Sequence, residues 1–209
     1  MAEKPSDFRR PFILTRLLQA TLALQVIATA AVAFVIAHTI ETSSNLIIPP
    51  GIFEVYDLLR RSVGIWPLFN GILSLFWIYR VNKNTRAISA QALQFTPGWA
   101  VGWFFIPIAN LVQPYLIVSE LYNANQQSAD WKALKRPWIV GLWWLMTICA
   151  NILGGIVSVI AKDASAQPME LYFAFSVAMI THQVLALIIF SRIGNWQLAQ
   201  RPGAAEAVF

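Results

Sequence analysis

Residues 17–40 contain no charged side chain. At 1.5 Å per residue this stretch makes about 36 Å of helix, enough to cross a hydrocarbon core of about 30 Å. Uncharged runs return at 62–79, 97–118 and 137–161, and the run 170–191 carries only Glu170 at its edge. In lipid the backbone must satisfy its own polar groups, which leaves helices as the available solution for runs of this kind. Charged residues make up 12% of the chain and mean hydropathy is +0.58, against about 25% charged residues in a soluble domain. These features predict an all-α integral membrane bundle formed by residues 1–209 as one domain. A cleaved leader is the rival reading of the first run, because Ala31-Val32-Ala33 resembles a cleavage site. The run exceeds a normal leader core, and a retained helix is expected.

The four expected spans are 17–40, 62–79, 137–161 and 170–191. Pro49, Pro50 and Gly51 predict a loop over 41–53. Over 52–61, Ile52, Val55, Tyr56 and Leu59 fall on one helical face opposite Glu54, Asp57 and Arg61, which suits a short helix at the membrane surface. Pro67 is expected to kink the second span. Phe76, Trp77 and Tyr79 close that span as an aromatic belt ahead of Arg80, Lys83 and Arg86. Pro137 marks a first helical turn. Arg192 closes the last span, and a short tail follows.

The run at 97–118 is different. Pro97, Pro107 and Pro114 interrupt it, with Gly98 and Gly102 near its start. Positive charge argues that it does not cross. With the N-terminus cytoplasmic, the segments before residue 17, over 80–86, over 132–136 and after 191 hold twelve basic residues on the inside. Only Arg60, Arg61 and Lys162 remain outside. A crossing would force Lys132, Lys135 and Arg136 to the wrong side. Pro107 removes a backbone donor and frees the carbonyl of Trp103, so a helix over 97–106 of about 15 Å would turn there and return. The expectation is a proline-broken re-entrant or in-plane helix, with both termini in the cytoplasm. An ordinary kinked spanning helix is the competing geometry.

The blocks FWIYRVNKNTRA and LQFTPGWAVGWFFIPIANLVQPYLIVSELYNA, followed by the Trp-rich third span, resemble a bacterial multi-pass membrane family catalogued as domain of unknown function 4328. Gly98, Trp99, Gly102, Trp103, Pro107, Asn110, Pro114 and Tyr115 carry the resemblance, which covers about residues 75–160. Phe104 stands where a further Trp is common in that family, and Gln113 where a basic residue is common. The resemblance implies an inner-membrane helical bundle and assigns no activity.

Candidate chemistry is sparse. Gly98, Gly102, Ile106 and Asn110 recur every four residues, and Gly98 with Gly102 forms a GxxxG contact for another helix. Ala150, Gly154 and Ser158 repeat the pattern in the third span. Gln25, Asn70 and His182 fall about 12–14 Å from the inner face, and a re-entrant central run would bring Asn110 near the same depth, which suggests a polar layer. Interhelical hydrogen bonding explains such a layer as readily as a solute path. His38 and His182 sit at depths that differ by roughly 13 Å, too far apart for two axial ligands of one haem. No catalytic motif or Cys/His metal cluster is present in the sequence, and the one cysteine, Cys149, has no internal partner. The basic isoelectric point, about 9.7, belongs to residues flanking spans, so anionic lipid rather than nucleic acid is the expected counterpart. No cofactor is expected. The function expected is a non-catalytic accessory or scaffold subunit of a membrane complex, partnered by other membrane proteins or by copies of itself. The alternative is a small oligomeric transporter or channel.

Overall fold

A computed structural model describes residues 12–41, 50–89, 92–126, 128–160 and 169–200. Six α-helices follow one another: α1 (Phe12–Glu41), α2 (Pro50–Ile88), α3 (Pro97–Gly102), α4 (Gln113–Ala124), α5 (Trp138–Ile160) and α6 (Met169–Ala199). There is no strand among the described residues. α1, α5 and α6 are long and apolar enough to cross a membrane, over Ile13–His38, Trp138–Ile160 and Glu170–Ala199. α6 lies between α1 and α5, and α2 packs on α1. The core runs through an aromatic chain. Trp77 of α2 meets Phe190 of α6 at 4.6 Å between centroids, and Phe190 meets Trp143 of α5 at 6.2 Å.

α2 departs from the expected loop, surface helix and separate span. It is one helix of 39 residues that begins at Pro50 and passes through Pro67. Pro50 fits a helix start because the first turn needs no N–H from it. The expected second span, 62–79, therefore lies within a much longer helix. The segment Arg80–Ile88, beyond the expected end of that span, is helical as well. The expected amphipathic face over 52–61, together with Pro49, Lys162, Asp163, Pro168 and the tail beyond residue 200, lies outside the residues whose side chains are described. α6 also outruns its expected end at Arg192 and continues to Ala199.

The central run is broken earlier than Pro107 alone would break it. Thr96 caps α3, its Oγ1 accepting the Trp99 N–H at 3.4 Å, and Pro97 occupies the first turn. α3 is only six residues long. A 3-10 turn at Trp103–Phe105 follows, and Ile106 is then extended at φ −97°, ψ 110°. The ring of Pro107 disfavours helical geometry in the residue before it, so the helix stops ahead of the proline rather than kinking at it. The Trp103 carbonyl is not freed, since Ile106 N–H donates to it at 3.4 Å. Asn110, Leu111 and Val112 donate in turn to Ile106, Ile108 and Ala109 at 2.7–3.2 Å. The turn thus satisfies much of its own backbone.

α4 then runs back. Glu120 accepts from the Gln94 and Phe95 amides just ahead of α3, and Asn125 Nδ2 reaches Thr85 Oγ1 of α2 at 2.9 Å. The run is a hairpin whose two open ends lie at the same end of the bundle. Its tip is tied to α5 by Trp144 Nε1, which donates to the Leu111 carbonyl at 2.8 Å. Trp144 is six residues into α5, about 9 Å along its axis, so the hairpin is shallow. The same end of the bundle gathers the start of α1, the end of α2, the start of α5 and the end of α6. Trp77 Nε1 donates to Thr15 Oγ1, Trp131 Nε1 to Ser89 Oγ, and Arg192 to the Tyr122 hydroxyl.

Candidate functional site

The expected polar layer is only partly assembled. Asn70 Nδ2 donates to Gln25 Oε1 at 2.5 Å, and Thr21 Oγ1 donates to Asn70 Oδ1 at 2.6 Å. One turn further along α1, Thr29 Oγ1 accepts from Gln183 Nε2 of α6 at 3.3 Å. Gln25, Thr29, Asn70 and Gln183 are all buried, and they tie α1 to α2 and α6. His182, next to Gln183, points to the other side. Its Nδ1 lies 2.8 Å from Thr147 Oγ1, and its ring stacks on Trp143. The Thr147 hydroxyl also donates to the Trp143 carbonyl. The Thr147 hydroxyl thus bridges the His182 ring and the backbone of α5. Asn110 joins neither group. It is half-buried at the hairpin tip, and its Oδ1 has no protein partner. The layer divides because residues 182 and 183 diverge by about 100° around α6, and because Asn110 lies in a 3-10 turn at the hairpin tip. His38 packs against Phe34 of its own helix.

The four-residue stripe is likewise cut short. Gly98 and Gly102 share α3, but Ile106 and Asn110 lie beyond its end. A Cβ on Gly98 would meet nothing within 4 Å, and one on Gly102 only the Trp99 ring of its own helix. Trp99 and Trp103 pack against each other with their rings tilted by 37° and centroids 5.1 Å apart. Pro114 is buried in the first turn of α4. Tyr115 stands where a Gly141 Cβ would touch it at 3.7 Å, so it packs on α5. In the third span, Gly154 accommodates Phe175 of α6, 3.1 Å from where its Cβ would be, and Ala150 is buried, while Ser158 is exposed.

The densest polar arrangement lies at the end of the bundle where the hairpin opens. Thr85, entirely buried, donates to the Val81 carbonyl and accepts from both Asn125 Nδ2 and Gln197 Nε2 at 2.9 and 3.0 Å. Asn84 Nδ2 donates to Gln197 Oε1, and Gln200 Nε2 to the Asn125 carbonyl. Beside this hub, Asn82 Nδ2 donates to the Phe95 carbonyl. Arg86 binds Asn82 Oδ1 and the Leu93 and Phe95 carbonyls. These groups join α2, α4 and α6 to the entrance of α3. The sequence reading missed them because NKNTR looks like an exposed linker. The available signal was spacing: Trp77, Val81 and Thr85 fall at four-residue intervals on one face, all at 0% exposure.

Outside the hub, an open cleft of about 360 Å³ lies between α4 and the 131–136 segment. Glu120, Ser119 and Asn123 line it from α4, with Lys132 and Arg136 opposite. Burial pushes the Glu120 carboxyl above its ordinary value of 4.5, against the opposing pull of the Gln94 and Phe95 amides and of Arg86 and Lys132. Lys132 Nζ sits 5.5 Å from the Trp131 ring centroid, and the Arg136 guanidinium 5.8 Å from that of Tyr115.

Comparison with curated proteins and with solved structures returns no match. A family model described as a domain of unknown function, DUF4328, matches residues 49–193. That extent takes in α2 through most of α6, including the hairpin, the buried hub and the cleft. By this match over more than half of its length, the chain belongs to the DUF4328 family.

Proposed function

We propose that this protein is a non-catalytic accessory or scaffold subunit of a complex in the bacterial inner membrane. On this reading it crosses four times, through α1, the 62–79 part of α2, α5 and α6. The hairpin is re-entrant, and both termini are cytoplasmic. The observation that carries the reading is how the mid-span polar groups are used. Gln25, Asn70, Thr21, Thr29 and Gln183 hydrogen-bond to one another, as interhelical clamps do. A solute path would instead turn such groups towards water. The topology is supported by the hairpin's two ends, which open at the end of the bundle that gathers Arg80, Lys83, Arg86, Lys132, Lys135, Arg136 and Arg192. That is the distribution the positive-inside rule requires. The self-bonded backbone of the tip suits partial entry into hydrocarbon. Partners are other membrane proteins or further copies of this chain.

Extraction in mild detergent tests the reading. A membrane protein should copurify in fixed proportion with the wild type. Gly98→Leu, which meets open space in the chain's own fold, should fold normally and lose that partner if α3 is the contact. Proton or solute flux in liposomes holding this chain alone would overturn the accessory role and favour transport. Cysteines at Gln94 and Asp130, in a Cys149→Ala background, should both react from the cytoplasmic side. Reaction from opposite sides would end the four-span topology.

A further inference from the structure

We propose that the cleft between α4 and the 131–136 segment binds a phosphate group, carried by an anionic phospholipid or free in solution. Two cations and one carboxylate line it, and the carboxylate is already engaged. Glu120 accepts from the Gln94 and Phe95 amides, and Arg86, bonded to the Phe95 carbonyl at 2.6 Å, stands behind it. Lys132 and Arg136 are held differently. Each lies over an aromatic ring, a contact that orients a cation without cancelling its charge. Both are exposed, so their N–H groups are available to an incoming anion. Ser119 adds a neutral donor. It is 2% exposed and lines the cleft, and its Oγ has no hydrogen-bond partner in the protein. A guanidinium, an ammonium and a hydroxyl converging on one space suit tetrahedral phosphate oxygens.

The walls and position favour a headgroup. Phe95, Leu116 and Leu134 are apolar lining residues, and about 360 Å³ lies within the range of small-ligand sites, roughly 300–1,000 Å³. Arg136 stands two residues before Trp138, where the apolar helix α5 begins, which is headgroup level if α5 spans. Asn123 Nδ2 donates to the Leu134 and Lys135 carbonyls and so fixes the segment that presents both cations. This inference rests on α5 being a span and not on the accessory role. A chain that conducts solute, or that copurifies with nothing, would leave it standing.

The test uses the full chain in neutral detergent, with phosphatidylglycerol, phosphatidylcholine and inorganic phosphate as separate probes. Native mass spectrometry reads retained lipid, and Trp131 in the cleft wall gives a fluorescence change. The wild type should retain phosphatidylglycerol over phosphatidylcholine. Lys132→Gln with Arg136→Gln should weaken that binding roughly thirtyfold, each basic residue near an anionic headgroup being worth roughly fivefold. Lys135→Gln, outside the cleft lining, should bind as the wild type does. Lys132→Gln with Ser119→Ala leaves the Arg136–Tyr115 contact in place and should also weaken binding, which guards against loss of fold in the first variant. A saturable fluorescence change with inorganic phosphate, equal to that with lipid and lost in the same variants, assigns the site to free phosphate. Equal retention of both lipids with no phosphate response, or unchanged binding in both double variants, overturns the proposal.

Discussion

The crossing of α1 and α6 at Gly194 offers the sharpest test of the packing. A Cβ added there would lie 2.6 Å from Thr15 Cγ2 and 3.2 Å from its Oγ1, closer than a methyl carbon is tolerated. Thr15 is not free to swing away, because its Oγ1 accepts the Trp77 indole N–H at 3.0 Å and Trp77 is wholly buried. Gly194→Ala must therefore push the helices apart, at about 1–3 kcal/mol for overpacking, or break the indole bond, at a similar cost for a buried unpaired donor. The better helix propensity of alanine returns up to about 1 kcal/mol. The expected net loss is about 1–2 kcal/mol, or roughly 2–4 °C of Tm per kcal/mol for a chain of this size. Thr15→Ser removes Cγ2 and keeps the hydroxyl for Trp77. Alone it should cost about 1 kcal/mol, the value of one buried methyl. Combined with Gly194→Ala, it should leave the double variant about as stable as Thr15→Ser itself, because the 2.6 Å contact is gone and the propensity gain offsets the 3.2 Å approach to Oγ1 that remains. Thermal unfolding of the four proteins in one detergent, followed by tryptophan fluorescence, closes this double-mutant cycle. Additive losses would mean that Gly194 and Thr15 do not meet, and the α1–α6 register described above would be wrong.

Two further substitutions probe the end of the bundle where the hairpin opens. Thr85→Val keeps the shape of the side chain but removes the hydroxyl that accepts from Asn125 and Gln197. It should lower stability by about 2 kcal/mol and increase amide exchange over α4; a variant as stable as the wild type would show that these groups find other partners. Glu120→Gln tests the raised carboxyl. Because burial raises the folded pKa above the unfolded value, the stabilising contribution of this group is complete below pH 4.5 and is lost as pH rises through the folded pKa. The difference in stability between wild type and Glu120→Gln should therefore shift in favour of the wild type as pH falls through that window, and a difference independent of pH would refute the assignment.

What was legible in the sequence was what hydrophobicity and charge determine at long range. Runs without charge located α1, α5 and α6, the three helices long and apolar enough to cross a membrane. Proline chemistry was legible in kind and misplaced in detail. Pro107 is expected to bend a helix, whereas its steric effect on Ile106 contributes to a break that begins at Gly102, four residues before the extended residue. Pro50, expected in a loop, instead opens α2, which runs on through Pro67. These errors have a common cause: the sequence shows where a donor is missing, and tertiary packing decides whether the helix continues past it.

The buried hub was illegible for another reason. Asn82, Asn84 and Thr85 are flanked by Arg80, Lys83 and Arg86, and polarity at that density reads as a solvated linker. Burial of a polar side chain is rewarded only when its partners are present, and the partners of Thr85 lie 40 and 112 residues away, at Asn125 and Gln197. The four-residue spacing of Trp77, Val81 and Thr85 marks a buried face, but no local pattern reports which partners meet it. Seen in three dimensions, two blocks of the sequence serve one construction. NKNTR closes one end of the bundle around α4 and α6, and PGWAVGWFFIPIANLVQPY folds back so that α4 can arrive there. The hairpin's turn is thus the means by which Asn125, Glu120 and Ser119 are delivered to the basic end of the bundle. A change at its tip that lengthened α3 through Ile106 would displace all three from the hub and from the cleft at once.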